Sequence, residues 1–151
     1  MLEKSGLTRL PAYWDRRYIK NLDKLSKPRY EVAMERDVWL TLRDGTRICA
    51  DVFRPDAEGP FPALLSWSPY GKGIQSMKRG SQPPESLLFD HSLEAGDIDF
   101  FVSRGYVFVI PDPRGIGKSE GDFYGIYNPQ EQEDAFDVIE WIAGRQWCDG
   151  G

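Results

Sequence analysis

Apolar and polar residues alternate along the chain from about residue 30 onward, on both sides of a short polar turn at residues 43–46 that reads Arg-Asp-Gly-Thr. The alternating apolar positions are Val32, Met34, Val38, Leu40, Leu42, Ile48, Ala50, Val52 and Phe53. Alternation is typical of strands with one buried face, and glycine tolerates the positive φ of a tight hairpin turn. The pattern therefore predicts an antiparallel hairpin.

Two short apolar runs and two helical patterns follow the hairpin. Residues 63–67 and 106–110 are apolar without alternation, as expected of buried strands. Residues 97–104 fit a helix that Gly105 ends, and residues 131–145 place apolar side chains on one helical face. The predicted fold class is therefore α/β, with a mostly parallel sheet, an antiparallel N-terminal hairpin and helices on both faces.

The chain before the hairpin, residues 1–29, is mixed and charged. We interpret it as an N-terminal extension that packs on the surface of a domain covering residues 30–151. Apolar spacing over residues 13–25 permits a short amphipathic helix. A basic helix on a membrane surface is the alternative interpretation, which the acidic residues Asp15 and Asp23 weaken.

The charge of the chain argues against nucleic acid as a partner. Lys and Arg number 19 against 24 Asp and Glu, which gives a net charge of -5, and the sequence contains no basic block. No apolar run reaches the length needed to cross a bilayer, and the polar start has no signal-peptide core. We therefore expect a cytoplasmic protein without a membrane partner.

Few residues of the chain suit metal or acid–base chemistry. His91 is the single histidine and lies in a polar stretch that predicts a long loop, so a His-rich metal site is excluded. Cys49 and Cys148 are far apart in sequence, and we expect them to pack as small apolar groups. Asp134 and Asp137 are interpreted as the solvated start of a helix rather than as a catalytic pair.

A Gly-Lys-Ser sequence at residues 117–119 raises the alternative of a phosphate-binding loop. Such a loop needs a glycine five residues earlier, and that position is Asp112, whose carboxylate would repel phosphate. The next helix is delayed until Pro129, and the third glycine of a dinucleotide fingerprint would be Glu120. Asp112 and Arg114 are instead expected to pair locally and fix the loop. Phosphate or nucleotide binding is the less favoured alternative.

Seven short motifs, in this order, resemble those of the CocE/NonD family. They are Leu42-Arg43-Asp44-Gly45-Thr46-Arg47, Asp51-Val52-Phe53-Arg54-Pro55, Ser68-Pro69-Tyr70-Gly71-Lys72, Arg104-Gly105-Tyr106-Val107, Asp112-Pro113-Arg114-Gly115, Ser119-Glu120-Gly121 and Gln146-Trp147-Cys148-Asp149-Gly150. That family consists of α/β-hydrolase-fold acyl hydrolases related to cocaine esterase, α-amino-acid ester hydrolases and the Xaa-Pro dipeptidyl-peptidases of the S15 group. The resemblance extends over roughly residues 30–151 and implies the N-terminal portion of an α/β-hydrolase fold.

The resemblance implies a serine nucleophile that these residues do not contain. In the family the serine lies in a Gly-x-Ser-Tyr-x-Gly elbow closely after a Trp-Cys-Asp-Gly segment, and here the chain ends at Gly151. The acid and the histidine follow the serine, so His91 cannot replace them. We therefore expect an incomplete domain that is inactive alone and forms part of a serine acyl hydrolase in the full-length protein. A non-catalytic remnant or interaction module is the alternative.

The resemblance also implies a role for Tyr70. It matches the tyrosine whose hydroxyl donates to the oxyanion in the cocaine-esterase branch, and a phenol stays protonated at neutral pH. A turn residue that merely packs its ring is the alternative. Lys72 and Arg114 suit the fixing of nearby loops, while Trp67 and residues 74–92 are expected to border an acyl pocket. The implied substrate is a small-molecule ester or amide, with no metal or organic cofactor.

The strand at residues 63–67 is expected to lie at an open edge of the sheet. In the α/β-hydrolase sheet the strand that carries the nucleophile pairs beside it, and that strand would follow Gly151. Exposed apolar edges favour association between chains. We therefore expect the isolated chain to self-associate.

Overall fold

The computed structural model describes residues 24–75, residue 95 and residues 97–151. Within these ranges the strands are β1 (Val32–Thr41), β2 (Arg47–Pro55), β3 (Ala63–Leu65) and β4 (Val107–Pro111). The helices are α1 (Lys72–Gln75), α2 (Ile98–Val102) and α3 (Pro129–Ala143). Two predicted segments lie almost entirely outside the described residues. They are the helix over residues 13–25 and the loop over residues 74–92, which contains His91.

Strands β1 and β2 form the predicted hairpin. They pair in antiparallel register, with Val32 opposite Pro55 at the end far from the turn. Gly45 occupies the turn with a φ of +90°, in the region that other residues rarely adopt, and its N–H donates to the carbonyl of Leu42 over 2.9 Å. The Asp-Gly turn predicted from the sequence is confirmed.

The four strands form one mixed sheet in the order β1-β2-β4-β3. Strand β4 runs antiparallel to β2 and parallel to β3, where Ala63 lies opposite Val107. Helix α2 lies between β3 and β4 in the chain, which gives the predicted strand–helix–strand unit. Among the described strands, parallel pairing is confined to β3 and β4. The prediction of an α/β sheet with an antiparallel opening hairpin is confirmed.

Helices cover both faces of the sheet, and β4 supplies side chains to both cores. All five residues of β4 are buried. Val109 belongs to an apolar cluster with Val138 and Ile142 of α3. Phe108 belongs to a second cluster with Val102 of α2. Because successive side chains of a strand point to opposite faces, these two clusters lie on opposite sides of the sheet.

The ends of α2 and α3 follow from local sequence signals. The side chain of Asn128 accepts the N–H of Glu131 over 2.9 Å and caps the start of α3. Gly105 has a φ of +94° and donates its N–H to the carbonyl of Val102 over 3.0 Å. The predicted stop at Gly105 is confirmed, and α2 itself is shorter than the predicted span 97–104.

The last residues of the chain run parallel to the segment that leads into β3. The N–H of Phe61 donates to the carbonyl of Trp147 over 2.9 Å, and the N–H of Asp149 donates to the carbonyl of Phe61 over 3.1 Å. The N–H of Ala63 donates to the carbonyl of Gly151 over 3.1 Å. Further parallel pairing therefore starts beside β3, where the resemblance expects the strand that carries the nucleophile.

Candidate functional site

Tyr70 lies in the turn after β3, at the edge of the sheet where the parallel strands β3 and β4 both end. The residue is 55% exposed. Its N–H donates to the Oγ of Ser68 over 3.3 Å, and this hydroxyl accepts from the Nε2 of Gln75 over 3.1 Å. The turn therefore presents the phenol to solvent instead of packing it in a core. Ligands of open α/β sheets bind at this edge.

The loop after β4 is joined to this turn by the carboxylate of Asp112, which is 3% exposed. One carboxylate oxygen accepts the N–H of Lys72 over 2.7 Å, and the other accepts the N–H of Lys118 over 2.9 Å. A Cβ on Gly117, whose φ is +55°, would lie 2.3 Å from the same carboxylate. Asp112, whose charge is unfavourable for phosphate binding, therefore holds the turn after β3 and the loop after β4 together.

Lys72 connects the same turn to the hairpin. Its buried Nζ donates to the Oδ1 of Asp37 over 2.7 Å and to the Oδ1 of Asp51 over 2.8 Å. Burial alone lowers the pKa of Lys72, but hydrogen bonds to Asp37 and Asp51 outweigh it, so the pKa is raised above its usual value. Lys72 is therefore charged at neutral pH. This geometry agrees with the loop-fixing role predicted for it.

Asp37 reaches these lysines from an irregularity in β1. The register of the hairpin shifts between Glu35 and Val38, and Asp37 has a φ of +56°. Its Oδ2 accepts from the Nζ of Lys118 over 2.6 Å. Hydrogen bonds from Lys118 and Lys72 hold the pKa of Asp37 far below its usual range. Sequence reasoning missed Asp37, because the apolar alternation continues in phase from Met34 to Val38 and gives no sign of the extra residue of the bulge, which places Met34 and Val38 against opposite apolar clusters.

The Gly-Lys-Ser sequence stabilises its own loop. The Nζ of Lys118 binds Asp37, as described. The Oγ of Ser119 donates to the carbonyl of Asp112 over 2.5 Å and accepts the N–H of Cys49 over 2.9 Å. Both side chains that would face a phosphate are therefore hydrogen-bonded within the protein.

The two cysteines are buried and free, as predicted. Burial raises the pKa of Cys49 to about 11, so its thiol is protonated at neutral pH. Cys148 packs in the apolar cluster that contains Val138. Cys148 therefore packs as the predicted small apolar group, whereas the Sγ of Cys49 donates to the Oδ1 of Asp37 over 3.5 Å.

Arg114 binds α3 and the hairpin turn rather than Asp112, which corrects the predicted local pair. Its Nε and Nη2 donate to the two oxygens of Asp134 over 2.7 and 2.8 Å, and its Nη2 lies 2.8 Å from Asp44. The hydrogen bond with Asp134 is the main cause of the raised pKa of Arg114. Asp134 is buried, so the interpretation of a solvated helix start is wrong for this residue. The physical reason is that its carboxylate has a bidentate cation as partner.

Asp137 makes a second contact between α3 and the hairpin turn. Its carboxylate accepts the N–H of Arg43 over 2.8 Å, and the Nε and Nη2 of Arg43 over 2.9 and 2.6 Å. These hydrogen bonds are the main cause of the lowered pKa of Asp137. Both aspartates of the helix are therefore anchors of the fold.

A shallow groove lies near the end of β3 and the start of α3. Its lining includes Trp67, Phe123, Tyr124 and Glu131. The Nε1 of Trp67 donates to the Oε1 of Glu131 over 3.2 Å. Trp67 therefore borders a depression, although an acyl pocket at this place stays a prediction.

Most of the chain matches one known protein family. Residues 44–151 match the family described as X-Pro dipeptidyl-peptidase (S15 family). The chain belongs to this family. The matched range contains both the turn of Tyr70 and the loop of Asp112. The S15 relationship inferred from the seven motifs is confirmed. The members of this family are hydrolases.

Curated relatives of this S15-family chain are longer than the chain itself. Cocaine esterase from Rhodococcus sp. (strain MB1 Bresler) is 37% identical to it over 121 residues, which are 80% of this chain and 18% of the esterase. The chain therefore spans about a fifth of the length of the curated relatives it matches.

Solved structures confirm the CocE/NonD relationship and the α/β-hydrolase fold. A CocE/NonD family hydrolase from Staphylococcus aureus is 33% identical, with a TM-score of 0.66 over 80% of this chain and 22% of that one. An α-amino acid ester hydrolase is 27% identical, with a TM-score of 0.59 over 83% of this chain and 21% of that one. The S15-family chain thus folds like the corresponding part of these hydrolases.

Two further features of the S15-family chain concern membranes and metals. None of the helices in the described ranges is long and apolar enough to cross a membrane. Among the residues that the structure describes, no group of three or more His, Cys, Asp or Glu side chains is arranged to hold a metal ion.

Proposed function

We propose that this chain is the N-terminal part of a serine acyl hydrolase that cleaves ester or amide bonds through an acyl-enzyme. Membership of a hydrolase family and the likeness to cocaine esterase support the reaction class. The observation that carries the proposal is the position of Tyr70. It lies exposed in the turn directly after β3, and residues 147–151 begin parallel pairing beside the same segment of chain.

In the proposed reaction the serine is supplied by the strand and turn that follow residue 151. Its oxygen attacks the substrate carbonyl while the triad histidine takes its proton, and the carbonyl oxygen gains negative charge. The phenol of Tyr70 donates a hydrogen bond to that oxygen, and the N–H after the serine is the second donor. Expulsion of the alcohol or amine leaves an acyl-serine, which water hydrolyses.

The coding DNA beyond codon 151 gives the first test. A reading frame that continues into Gly-x-Ser-Tyr-x-Gly supports the proposal. A stop codon at that point overturns it and favours the alternative, a non-catalytic remnant or interaction module. In the proposed arrangement the 151-residue chain by itself turns over no ester, because it holds one oxyanion donor and no nucleophile.

The hydrolysis of p-nitrophenyl acetate by the complete protein tests the role of Tyr70. We expect Tyr70→Phe to lower kcat by about 10²-fold, the usual cost of losing one oxyanion donor. Tyr127→Phe is the matched control, because Tyr127 is also exposed but lies in the segment before α3. Ester turnover by the 151-residue chain that survives Tyr70→Phe would contradict both the missing nucleophile and the role of Tyr70.

A further inference from the structure

We infer that Asp112 is a positioning residue for Tyr70, because it holds the turn that presents the phenol to the oxyanion. It does so through the main chain of Lys72, two residues along the chain from the phenol. The inference rests on the proposed function, in which Tyr70 is the oxyanion donor. Asp112 itself touches neither the substrate nor the reacting atoms.

The side chain of Tyr70 does not fix its own position. The residue is 55% exposed, and its main-chain N–H makes a long hydrogen bond of 3.3 Å to Ser68. An oxyanion donor stabilises the transition state only if its direction is set before the charge develops. The rigidity of this turn must therefore come from the neighbouring residues.

Asp112 is fixed from several directions and is therefore a rigid support. Its N–H donates to the carbonyl of Cys49 in β2 over 2.8 Å, and its carbonyl accepts the Oγ of Ser119 over 2.5 Å. Its two carboxylate oxygens accept one main-chain N–H each, from Lys72 and from Lys118. The carboxylate of Asp112 therefore fixes the position of the turn relative to the sheet.

The main chain between Tyr70 and Lys72 passes close to this carboxylate. Gly71 has a φ of +77°, and a Cβ at that position would lie 3.1 Å from the Oδ1 of Asp112. A displacement of the carboxylate is therefore passed directly to the residue that follows Tyr70. A misplacement of about 1 Å in a catalytic group can cost about 10² in rate.

A second anchor keeps the turn attached to the fold when Asp112 changes. The Nζ of Lys72 is bound by Asp37 and Asp51 in the hairpin, independently of its main-chain N–H. Asparagine at position 112 retains one carbonyl acceptor but turns an NH2 group toward the other main-chain donor. We therefore expect Asp112→Asn to loosen the turn of Tyr70 without detaching it.

The kinetic test combines Asp112→Asn with Tyr70→Phe in the complete protein, using p-nitrophenyl acetate. We expect Asp112→Asn to lower kcat by about 10-fold or more while KM changes less than about twofold. In the Tyr70→Phe background the same change should cost less than about twofold, because the donor it positions is gone. Gly117→Ala, whose Cβ would press on the carboxylate, is the second variant and should behave in the same way.

Asp137→Asn is the matched control for this cycle. It removes a carboxylate that also binds a main-chain N–H, that of Arg43, but belongs to α3. We expect its kcat to equal that of the parent protein in both backgrounds. If Tyr70→Phe is slow and Asp112→Asn costs the same factor in both backgrounds, the positioning role is overturned and the proposed function stands. If Tyr70→Phe reacts at the wild-type rate, the oxyanion assignment and the positioning role are both overturned.

Amide hydrogen exchange gives a readout that does not depend on turnover. In Asp112→Asn we expect exchange at residues 70–72 to rise by about 10-fold or more, with β4 and α3 unchanged. Unchanged exchange at residues 70–72 overturns the positioning role. If Asp112→Asn does not fold, the same measurement on Gly117→Ala decides the matter by the same criterion.

Discussion

Asp37 and Asp112 hold the same two lysines at opposite ends. Asp112 accepts the main-chain N–H groups of Lys72 and Lys118, and Asp37 accepts hydrogen bonds from the Nζ atoms of both. The hairpin, the turn after β3 and the loop after β4 are therefore joined in one closed ring of polar contacts. The energies of contacts in such a network are coupled, so the loss of one member weakens the others.

We expect Lys72→Met to lower the free energy of unfolding by about 3–5 kcal/mol, because it leaves the buried Asp51 without its cation. Lys118→Met is the matched control. It removes a lysine from the same Asp37, but the side chain of Lys118 is 61% exposed, and the expected loss is about 1 kcal/mol or less. Urea denaturation followed by circular dichroism measures both variants. Equal losses would show that burial of Lys72 does not matter.

The depressed pKa of Asp37 predicts a stability that falls in acid. The carboxylate is stabilised in the folded protein, so its contribution is complete above the unfolded pKa of about 3.9 and is lost as the pH falls toward the lower folded value. We expect the difference in unfolding free energy between wild type and Asp37→Asn to shrink as the pH is lowered from about 5 to about 2. Urea denaturation at a series of pH values measures it, and a constant difference would refute the prediction.

Two isoleucines of α3 provide a matched test of its packing. Ile142 is 6% exposed and lies in the apolar cluster, whereas Ile139 is 50% exposed. We expect Ile142→Ala to cost about 2–5 kcal/mol, and Ile139→Ala about 0.5 kcal/mol or less. Thermal and urea unfolding compare the two variants. A larger loss for Ile139→Ala would mean that the other face of α3 is the packed one.

We expect the isolated 151-residue chain to self-associate through the edge of β3. Strand β3 is the last of the described strands in the order of the sheet, and residues 147–151 pair with the segment that leads into it and with its first residue, Ala63, alone. Sedimentation velocity over a range of concentrations measures the association. A monodisperse monomer with strong amide protection across residues 63–67 is the result that rules it out.

The regular elements could be predicted because their signals are local. The Asp-Gly turn, the apolar run of β4 and the glycine after α2 each act within a few residues of their own position. The role of Tyr70 is inferred from the motif in which it lies, because the spacing of residues along the chain does not predict it. Its exposure in the turn after β3 agrees with that role but leaves it a proposal.

The charged contacts could not be predicted because their partners are distant in sequence. Proximity in sequence predicts that Arg114 binds Asp112, two residues away, but Arg114 binds Asp134 through a bidentate contact. Nothing in the periodicity of a helix tells whether an aspartate on it meets an arginine from a loop. One signal did exist in β2, where Asp51 lies in a buried apolar run and requires a buried cation such as Lys72.

The place of β4 in the sheet also determines an order of assembly. The hairpin of β1 and β2 can close as soon as both strands exist, whereas β3 shares no ladder with either of them. Strand β3 enters the sheet only when β4 arrives and pairs Val107 with Ala63. Such non-local pairing is slow to form and leaves apolar strands exposed in the meantime. During synthesis the segment before Tyr70 therefore has no partner among the described strands until β4 has been made, and it depends on protection from aggregation in that interval.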